Sequence, residues 1–461
     1  MVVGAIAEHG GDVFEVSEAI GLPPEYIIDF SSSINPYGPP PRALDSIKNS
    51  LQYIRFYPSR SYLRLKKSIA GYAGVEPEEV IIGCGATELI HSIIARFVRG
   101  PMVLPLPTFS EFEVAAAAFG LEVKFIKPCG IRLNLDDATE IVKSENVGCV
   151  ALCNPNNPTG EVLEKERVLK LIEAAAEVKT IVIVDEAYYE LSEGVETLVH
   201  LTKDFSNLFV LRSLTKPFGF PGLRVGYGVC NPRLAERFEA TAISWRVGAL
   251  EEAAALSALE DLDFLKRSKE MIVSEKNRLH ERIRSIRGLV PLPSRANFFM
   301  IETSESGLSP KGLRWRLLSH GVLVRDLSSV KGLPGSYIRI SARRSQENEV
   351  LIDALCNLIS SMGKLYPNNP VCAKKKCHSF NMIDCRLCFC PFYPCFDRTT
   401  GGKFVEREAG GYIWSCADCL WVHRADVAER VIQELSGVDI GSLDPERLQD
   451  LRRRVLEVLP P

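Results

Sequence analysis

The stretch Ile181-Val182-Ile183-Val184-Asp185-Glu186-Ala187-Tyr188 joins a run of β-branched residues to a cluster of polar ones. A short run that is apolar on both faces is typical of a strand buried in a parallel sheet. Similar runs lie at residues 103–104, 150–152 and 208–211, and segments with helical spacing of apolar residues separate them. This alternation predicts a doubly wound α/β fold.

Polar residues follow these predicted strands, where an open α/β sheet binds its ligands. The segments are 83–88 (Gly-Cys-Gly-Ala-Thr-Glu), 153–160 (Cys-Asn-Pro-Asn-Asn-Pro-Thr-Gly), 212–216 (Arg-Ser-Leu-Thr-Lys) and 221–227 (Pro-Gly-Leu-Arg-Val-Gly-Tyr). Each alone has a structural explanation, such as a stiff loop, a helix cap at Asp185 or a surface lysine at Lys216. Their shared position at strand ends indicates a ligand site.

In this order the segments resemble those of the fold-type I, pyridoxal-phosphate-dependent enzymes related to aspartate aminotransferase, over essentially all of residues 1–366. The resemblance implies a large domain with a mostly parallel sheet, a small α+β domain and a homodimer. It divides the chain into an N-terminal arm (1–40), the large domain (41–247), the small domain (248–366) and a C-terminal extension (367–461).

The resemblance also implies the roles of single residues. Lys216 would form the Schiff base with pyridoxal 5'-phosphate, Asp185 would face the pyridine nitrogen, and Tyr188 would complete the catalytic group. The other cofactor-binding residues that it implies are Gly85, Ala86, Phe109, Asn157, Ser213, Arg224 and, from the partner subunit, Tyr57. Free backbone N–H groups at a turn into a helix suit a phosphate, and a carboxylate at Asp185 favours a protonated ring nitrogen.

Two kinds of enzyme in that superfamily are similar to this sequence, and both act on an amine that bears a phosphate. The opening Glu8-His9-Gly10-Gly11-Asp12 and the ending Tyr337-Ile338-Arg339-Ile340-Ser341 resemble threonine-phosphate decarboxylases. The alternative is histidinol-phosphate aminotransferase, which shares most other motifs. We expect the decarboxylase of cobalamin biosynthesis, with His9, Arg325 and Arg339 binding the phosphorylated amino-acid substrate.

Eight of the 14 cysteines lie in the C-terminal extension. They are Cys372, Cys377, Cys385, Cys388, Cys390, Cys395, Cys416 and Cys419. The pairs Cys385/Cys388 and Cys416/Cys419 have the spacing of one tetrahedral thiolate site, which leaves the other four for a second site. The segment resembles the cysteine-rich small domains of archaea, and we expect it to bind zinc or an iron–sulfur cluster. It could be a metal-stabilised appendage, a neighbouring activity or an interaction or redox-sensing module.

The overall charge and hydropathy pattern exclude other classes. The formal net charge is -3, from 55 basic and 58 acidic residues, so we expect no nucleic-acid partner. No apolar stretch is long enough to cross a bilayer, and the first residues lack the basic region of a signal peptide. We therefore expect a cytoplasmic enzyme without a membrane partner. The basic run at residues 452–454 is expected to be a solvated helix face.

Overall fold

A computed structural model of the protein describes residues 10–361, 390–407, 410–435 and 444–461. Of the residues singled out above, His9, Cys372, Cys377, Cys385 and Cys388 lie outside the described residues. Among the described residues, no helix combines the length and the apolar composition that a membrane span needs.

The first described elements lead into the large sheet. They are α1 (Val13–Ile20), β1 (Ile28–Asp29), α2 (Pro41–Ser50) and α3 (Leu63–Ala73). The helix α1 ends at Gly21, which adopts the left-handed conformation with φ 70°. Glycine is the usual residue at this position because it has no Cβ to clash there.

Seven strands and five helices form the centre of the molecule. In chain order they are β2 (Val80–Gly83), α4 (Gly85–Phe97), β3 (Met102–Pro105), α5 (Glu111–Ala118), β4 (Val123–Ile126), α6 (Leu135–Ser144), β5 (Cys149–Cys153), α7 (Lys165–Glu177), β6 (Ile181–Asp185), β7 (Leu208–Ser213), β8 (Gly226–Cys230) and α8 (Pro232–Thr241). The strand order is β2-β8-β7-β6-β5-β3-β4, and β8 is antiparallel to both of its neighbours. The mostly parallel α/β sheet that the sequence predicts is therefore confirmed.

Both faces of this sheet are covered, as the apolar runs predict. Val182 and Val184 belong to one buried cluster, whereas Ile183 between them belongs to another. Successive side chains of a strand point to opposite faces, so β6 contributes to a core on each side of the sheet. The polar residues that follow β6 are consequently placed at the edge of a rigid layer.

A second, smaller sheet follows. Its region comprises α9 (Ala249–Leu259), α10 (Leu262–Arg284), β9 (Val290–Pro291), β10 (Phe298–Glu302), α11 (Pro310–Leu318), β11 (Val322–Leu323), β12 (Arg325–Asp326), β13 (Tyr337–Ser341) and α12 (Ser345–Ser361). The antiparallel order is β12-β13-β10-β9, while β11 pairs in parallel with β1. The strand β1 is therefore joined to this region, and Phe30, which follows it, belongs to the core of the smaller sheet.

The described part of the C-terminal extension contains a hairpin and two helices. These are β14 (Lys403–Glu406), β15 (Tyr412–Ser415), α13 (Ala425–Leu435) and α14 (Pro445–Val458). It docks on α11, where Trp315 Nε1 donates a hydrogen bond to the Pro394 carbonyl at 2.9 Å and packs against the ring of Phe396. Phe396, Phe404 and Tyr412 also pack on a cluster that contains Val16 and Ile20 of α1.

The prediction of a wholly solvated basic run at residues 452–454 is wrong for Arg452. This side chain is 6% exposed and forms an ion pair with Asp397 at 2.7 Å. Its guanidinium also lies 5.1 Å from the ring centroid of Trp421. Arg453 and Arg454 are exposed, as expected for a helix surface.

Candidate active site

Four strand termini meet at one edge of the large sheet. β2 ends at Gly83, β7 ends at Ser213, and both of these residues pair with Gly226, where the antiparallel β8 begins. Asp185 at the end of β6 lies beside Leu211 of β7. The polar segments that the sequence places after separate strands therefore come together at one site.

The turn from β2 into α4 forms a cradle at this edge. Gly85 has φ +78°, and a Cβ there would lie 2.8 Å from Nη2 of Arg224. On the other side, a Cβ on Gly226 would lie 2.7 Å from the backbone N of Ala86. The first N–H groups of α4 and the Arg224 guanidinium thus share a space that suits an anion such as a phosphate.

Ser213 adds a hydroxyl to this edge. Its Oγ lies 2.7 Å from a second hydroxyl oxygen, Oγ1 of Thr215. The backbone N–H of Thr215 also donates to Ser213 Oγ at 3.3 Å. Both side chains are buried, so their orientation is determined by the turn that leads to Lys216.

Asp185 is a buried carboxylate with spare hydrogen-bonding capacity. The backbone N–H of Ala187 donates to Oδ1 at 2.9 Å, whereas among the described residues Oδ2 accepts from the thiol of Cys153 alone, at 4.0 Å. Burial raises the pKa of Asp185, and the nearby Lys216 ammonium lowers it in part. A protonated ring nitrogen of a cofactor would supply the missing strong donor.

Lys216 lies near Tyr188, with its Nζ 5.3 Å from the Tyr188 ring centroid. The Tyr188 ring is buried and makes an edge contact with Phe298 at 4.9 Å between centroids. The Lys216 carbonyl accepts a hydrogen bond from the Asn35 backbone at 2.9 Å. Lys216 therefore lies beside Tyr188, and its charge acts on Asp185, the third residue predicted to be catalytic.

Arg339 connects the two sheets at the site. Its Nη1 donates to the side-chain oxygen of Asn157, and its Nη2 donates to the Ser31 carbonyl at 2.8 Å. The Nε atom is buried without a partner among the described residues. The guanidinium is thus held in place beside a predicted cofactor residue, with one donor still available.

Arg325 lies directly opposite Arg339 on the neighbouring strand. Burial, followed by the charge of Arg339, lowers the pKa of Arg325 to about 10, and Asp12 opposes this shift. Arg314 of α11 is a third cation here, and burial lowers its pKa as well. Sequence reasoning missed Arg314 and Asp12, because a lone charge on a helix or arm gives no signal of what it faces.

The glycines that precede α1 lie close to the same arginines. The N–H of Gly11 donates to Ser31 Oγ at 2.9 Å, and a Cβ on Gly10 would lie 2.3 Å from the Ser31 carbonyl oxygen. That oxygen is the one that accepts from Arg339. The structure thus brings the neighbour of His9 to the Arg339 site, although His9 itself lies outside the described residues.

Two further predicted cofactor residues are aromatic. Phe109 is partly buried and makes an edge contact with Phe112, with 6.3 Å between ring centroids. Tyr57 is 79% exposed and stacks on Trp245 at 4.5 Å between centroids. Its predicted contact with a partner subunit's cofactor stays a prediction.

Four of the predicted metal ligands line one cavity of about 240 Å³ in the C-terminal extension: Cys390, Cys395, Cys416 and Cys419. A separate site for Cys390 and Cys395 is one alternative that the spacing leaves open, whereas the structure places both beside Cys416 and Cys419. Within the described ranges, no three Cys, His, Asp or Glu side chains are arranged to hold a metal ion.

Comparison with known proteins agrees with this geometry. Residues 25–355 match the family model described as aminotransferase class I and II, and residues 365–439 match a cysteine-rich small domain. A solved histidinol-phosphate aminotransferase from Sinorhizobium meliloti, in complex with pyridoxal-5'-phosphate, is 25% identical with a TM-score of 0.69. The match covers 78% of this chain and 100% of that one.

Two curated relatives differ in the reaction that their names state. Histidinol-phosphate aminotransferase 2 of Archaeoglobus fulgidus is 36% identical over 336 residues, which are 72% of this chain and 94% of the relative. A putative threonine-phosphate decarboxylase of Caldanaerobacter subterraneus subsp. tengcongensis is 33% identical over 356 residues, which are 76% and 94%.

The fold and the site define a pyridoxal-phosphate-dependent enzyme of the aminotransferase superfamily that carries a cysteine-rich C-terminal domain. The chain belongs to the aminotransferase class I and II family. Pyridoxal phosphate is the expected cofactor of this family.

Proposed function

We propose that this site binds pyridoxal 5'-phosphate and acts on a primary amine that carries a phosphate group. The main support is that three features lie at one edge of the sheet. They are Lys216, the Asp185 carboxylate with one oxygen lacking a strong donor among the described residues, and the cradle formed by Gly85 and Arg224. When bound, the cofactor withdraws electrons from the substrate's α-carbon.

The chain's own residues supply binding and orientation in this proposal. The turn amides at Gly85 and Ala86, with Ser213 and Arg224, hold the cofactor phosphate. Asp185 keeps the ring nitrogen protonated, because a nearby carboxylate favours the charged form. Tyr188 and Asn157 face the ring hydroxyl, Phe109 stacks on the ring, and Lys216 provides the amine that holds the cofactor and moves protons.

We assign the substrate phosphate to Arg325 and Arg339 and retain His9, which lies outside the described residues, as a third candidate. Like charges placed directly opposite each other on neighbouring strands are unfavourable, so an anion between the two guanidinium groups would relieve their repulsion. Burial strengthens both the repulsion between the guanidinium groups and their attraction to an anion, since the local dielectric constant is lower than that of water.

Transamination of histidinol phosphate is the first candidate reaction, because the names of the relatives favour it over the decarboxylation that we expected from the sequence. The difference in identity is small: 36% for the A. fulgidus aminotransferase against 33% for the named decarboxylase. The substrate therefore has to be decided on the protein itself.

Decarboxylation of threonine phosphate is the second candidate, and the glycine pair before α1 favours it. Gly10 and Gly11 lie close to Ser31, whose carbonyl accepts from Arg339, and the sequence His9-Gly10-Gly11 resembles the decarboxylases. In this proposal the arm helps to bind the substrate phosphate. The substrate carboxylate is then turned out of the ring plane, which is the orientation that the breaking bond requires.

A two-substrate assay separates these reactions. The cofactor-loaded protein is given threonine phosphate alone, with carbon dioxide measured, or histidinol phosphate with 2-oxoglutarate, with glutamate measured. Glutamate formation supports the first candidate, and carbon dioxide release without a keto acid supports the second. Lys216→Ala is the control, and activity in neither assay for the wild type would refute the proposed substrate class.

We also propose that the protein works as a homodimer in which Tyr57 reaches the partner's cofactor phosphate. Tyr57 lies among exposed apolar side chains, including Ile54, Phe56 and Trp245, and such a surface suits an interface between subunits. Sedimentation of the purified protein tests the dimer. Tyr57→Phe should weaken cofactor binding and leave the dimer intact. An enzyme that is active as a monomer would contradict the proposal.

For the C-terminal extension we propose that the eight cysteines bind zinc or an iron–sulfur cluster. Its support is the joint placement of four thiols around one cavity, because clustered thiolates are the ligands that these metals prefer. Elemental analysis of anaerobically purified protein should find metal, and Cys416→Ala with Cys419→Ala should reduce it. Cys356→Ala, at an exposed cysteine outside the cluster, is the control.

A further inference from the structure

A buried ion pair lies on the reverse side of the strand ends that carry Asp185 and Ser213. Arg212 donates through Nε and Nη2 to Oε2 of Glu186 at 3.0 and 2.9 Å. The Arg212 side chain is 4% exposed and that of Glu186 is fully buried. Neither residue takes part in the proposed chemistry.

The position of this pair follows from the alternation of side chains along a strand. Asp185 and Glu186 are consecutive on one chain segment, and Arg212 and Ser213 are consecutive on the neighbouring one. Since successive side chains point to opposite faces, the pair of cofactor residues and the ion pair lie on opposite sides of the same two segments. The Glu186 backbone N–H also donates to the Leu211 carbonyl at 2.8 Å, which extends the ladder to this point.

Glu186 and Arg212 make further hydrogen bonds to their surroundings. The Leu198 backbone N–H donates to Glu186 Oε1 at 2.7 Å. The Thr197 hydroxyl donates to Glu186 Oε2 at 2.8 Å and lies 2.6 Å from Arg212 Nη2. The Arg212 guanidinium stacks 3.9 Å from the ring centroid of Tyr189. A buried charge pair with this many partners has one geometry, so it holds the two segments at one spacing.

A second carboxyl group nearby completes the network. Glu190 Oε1 lies 3.6 Å from Arg212 Nη1 and accepts from the Tyr72 hydroxyl at 3.2 Å. Burial raises the pKa of Glu190, and Arg212 opposes that shift. Arg212 therefore lies between two buried carboxyl groups, Glu186 and Glu190.

We propose that Arg212 and Glu186 are positioning residues for the cofactor, since their ion pair sets the distance between Asp185 under the ring and Ser213 at the phosphate. The inference rests on the proposed cofactor site but not on which reaction the enzyme catalyses. Residues that support a ligand-binding group from behind commonly change affinity by about tenfold to a hundredfold when they are replaced.

The test uses Glu186→Gln, which keeps the shape of the side chain and removes its charge. Pyridoxal phosphate is titrated into the cofactor-free protein, and its dissociation constant and the pH midpoint of its visible absorbance band are measured. We expect the dissociation constant to rise about tenfold or more and the pH midpoint to move, because Asp185 and Ser213 no longer keep their spacing. Arg212→Lys should show the same two changes as Glu186→Gln, since an ammonium group cannot donate two hydrogen bonds in the fork geometry of a guanidinium.

Glu239→Gln is the matched control. Glu239 lies on α8, accepts from Arg246 Nη2 at 2.7 and 2.8 Å and forms an ion pair with Lys66 at 2.9 Å. Should Glu186→Gln fold poorly, Thr197→Val removes only the hydroxyl shared by the pair and is measured in the same way. Lower thermal stability with unchanged cofactor affinity and pH midpoint in both variants would overturn the proposal. If the wild-type protein has no affinity for pyridoxal phosphate, both the cofactor assignment and the positioning role are overturned.

Discussion

Gly226→Ala should weaken cofactor binding through a steric effect on the turn that carries Gly85 and Ala86. A Cβ at Gly226 would lie 2.7 Å from the Ala86 nitrogen, 2.8 Å from the Gly85 carbonyl carbon and 3.0 Å from the Arg212 oxygen. All three are backbone atoms, so no flexible side chain can move aside. The turn must therefore shift away from β8.

The size of the effect follows from these distances. Inserting a methyl group into a filled space costs about 1–3 kcal/mol. If the turn relieves this strain by carrying its N–H donors away from the phosphate, the loss of affinity is roughly fivefold to hundredfold. The assay is a titration with pyridoxal phosphate, followed by the visible absorbance and by thermal unfolding with and without the cofactor.

Gly222→Ala is the control, because nothing lies within 4 Å of a Cβ at that position in the same loop. We expect this variant to bind the cofactor as the wild type does. Equal affinities for Gly226→Ala and Gly222→Ala would show that the turn does not hold the phosphate, and the reasoning would be refuted.

Further predictions concern the substrate, the extension and the pH dependence of stability. Arg325→Ala should raise the KM for the phosphorylated substrate about tenfold or more while leaving the cofactor dissociation constant within about twofold, because a charge-assisted contact contributes about 1.5–3 kcal/mol; equal losses of both affinities would contradict this. Trp315→Ala removes the bond to Pro394 and should cost about 3–5 kcal/mol of docking energy, seen as faster proteolysis after residue 390 with the visible band retained. Burial lowers the pKa of His320 from 6.5 to about 4, so the unfolded chain binds the extra proton and stability should fall as pH drops through this window. His320→Phe should flatten that slope in chemical denaturation, and an unchanged slope would exclude His320 as its source.

Local patterns were sufficient for much of the fold and of the candidate site. Runs such as residues 181–184 and 208–211 are apolar at every position, and each is a buried strand in the structure. The residues that follow them, Asp185 and Lys216 among them, necessarily lie at the sheet edge where the strands end. Strand periodicity is a property of neighbouring residues, so a single sequence shows it.

The direction of β8 could not be predicted in this way. Its residues 226–230 form an apolar run like the others, but the strand is antiparallel to β2 and β7. Direction depends on the path of the chain between strands, and hydrophobic spacing carries no information about that path. For the same reason, the sequence places Gly226 in a polar segment but does not show that it contacts the turn at Gly85.

The sequence by itself determined the strand order along the chain, the polar residues at each strand end and the concentration of cysteines after residue 366. Only the tertiary structure decided which distant segments meet: Arg325 with Arg339, Arg212 with Glu186, and Trp315 with the C-terminal extension. It also showed that Arg452 is buried against Asp397. The physical reason is that such contacts join residues far apart in the chain, and they form only when the packed cores bring those residues to the same place.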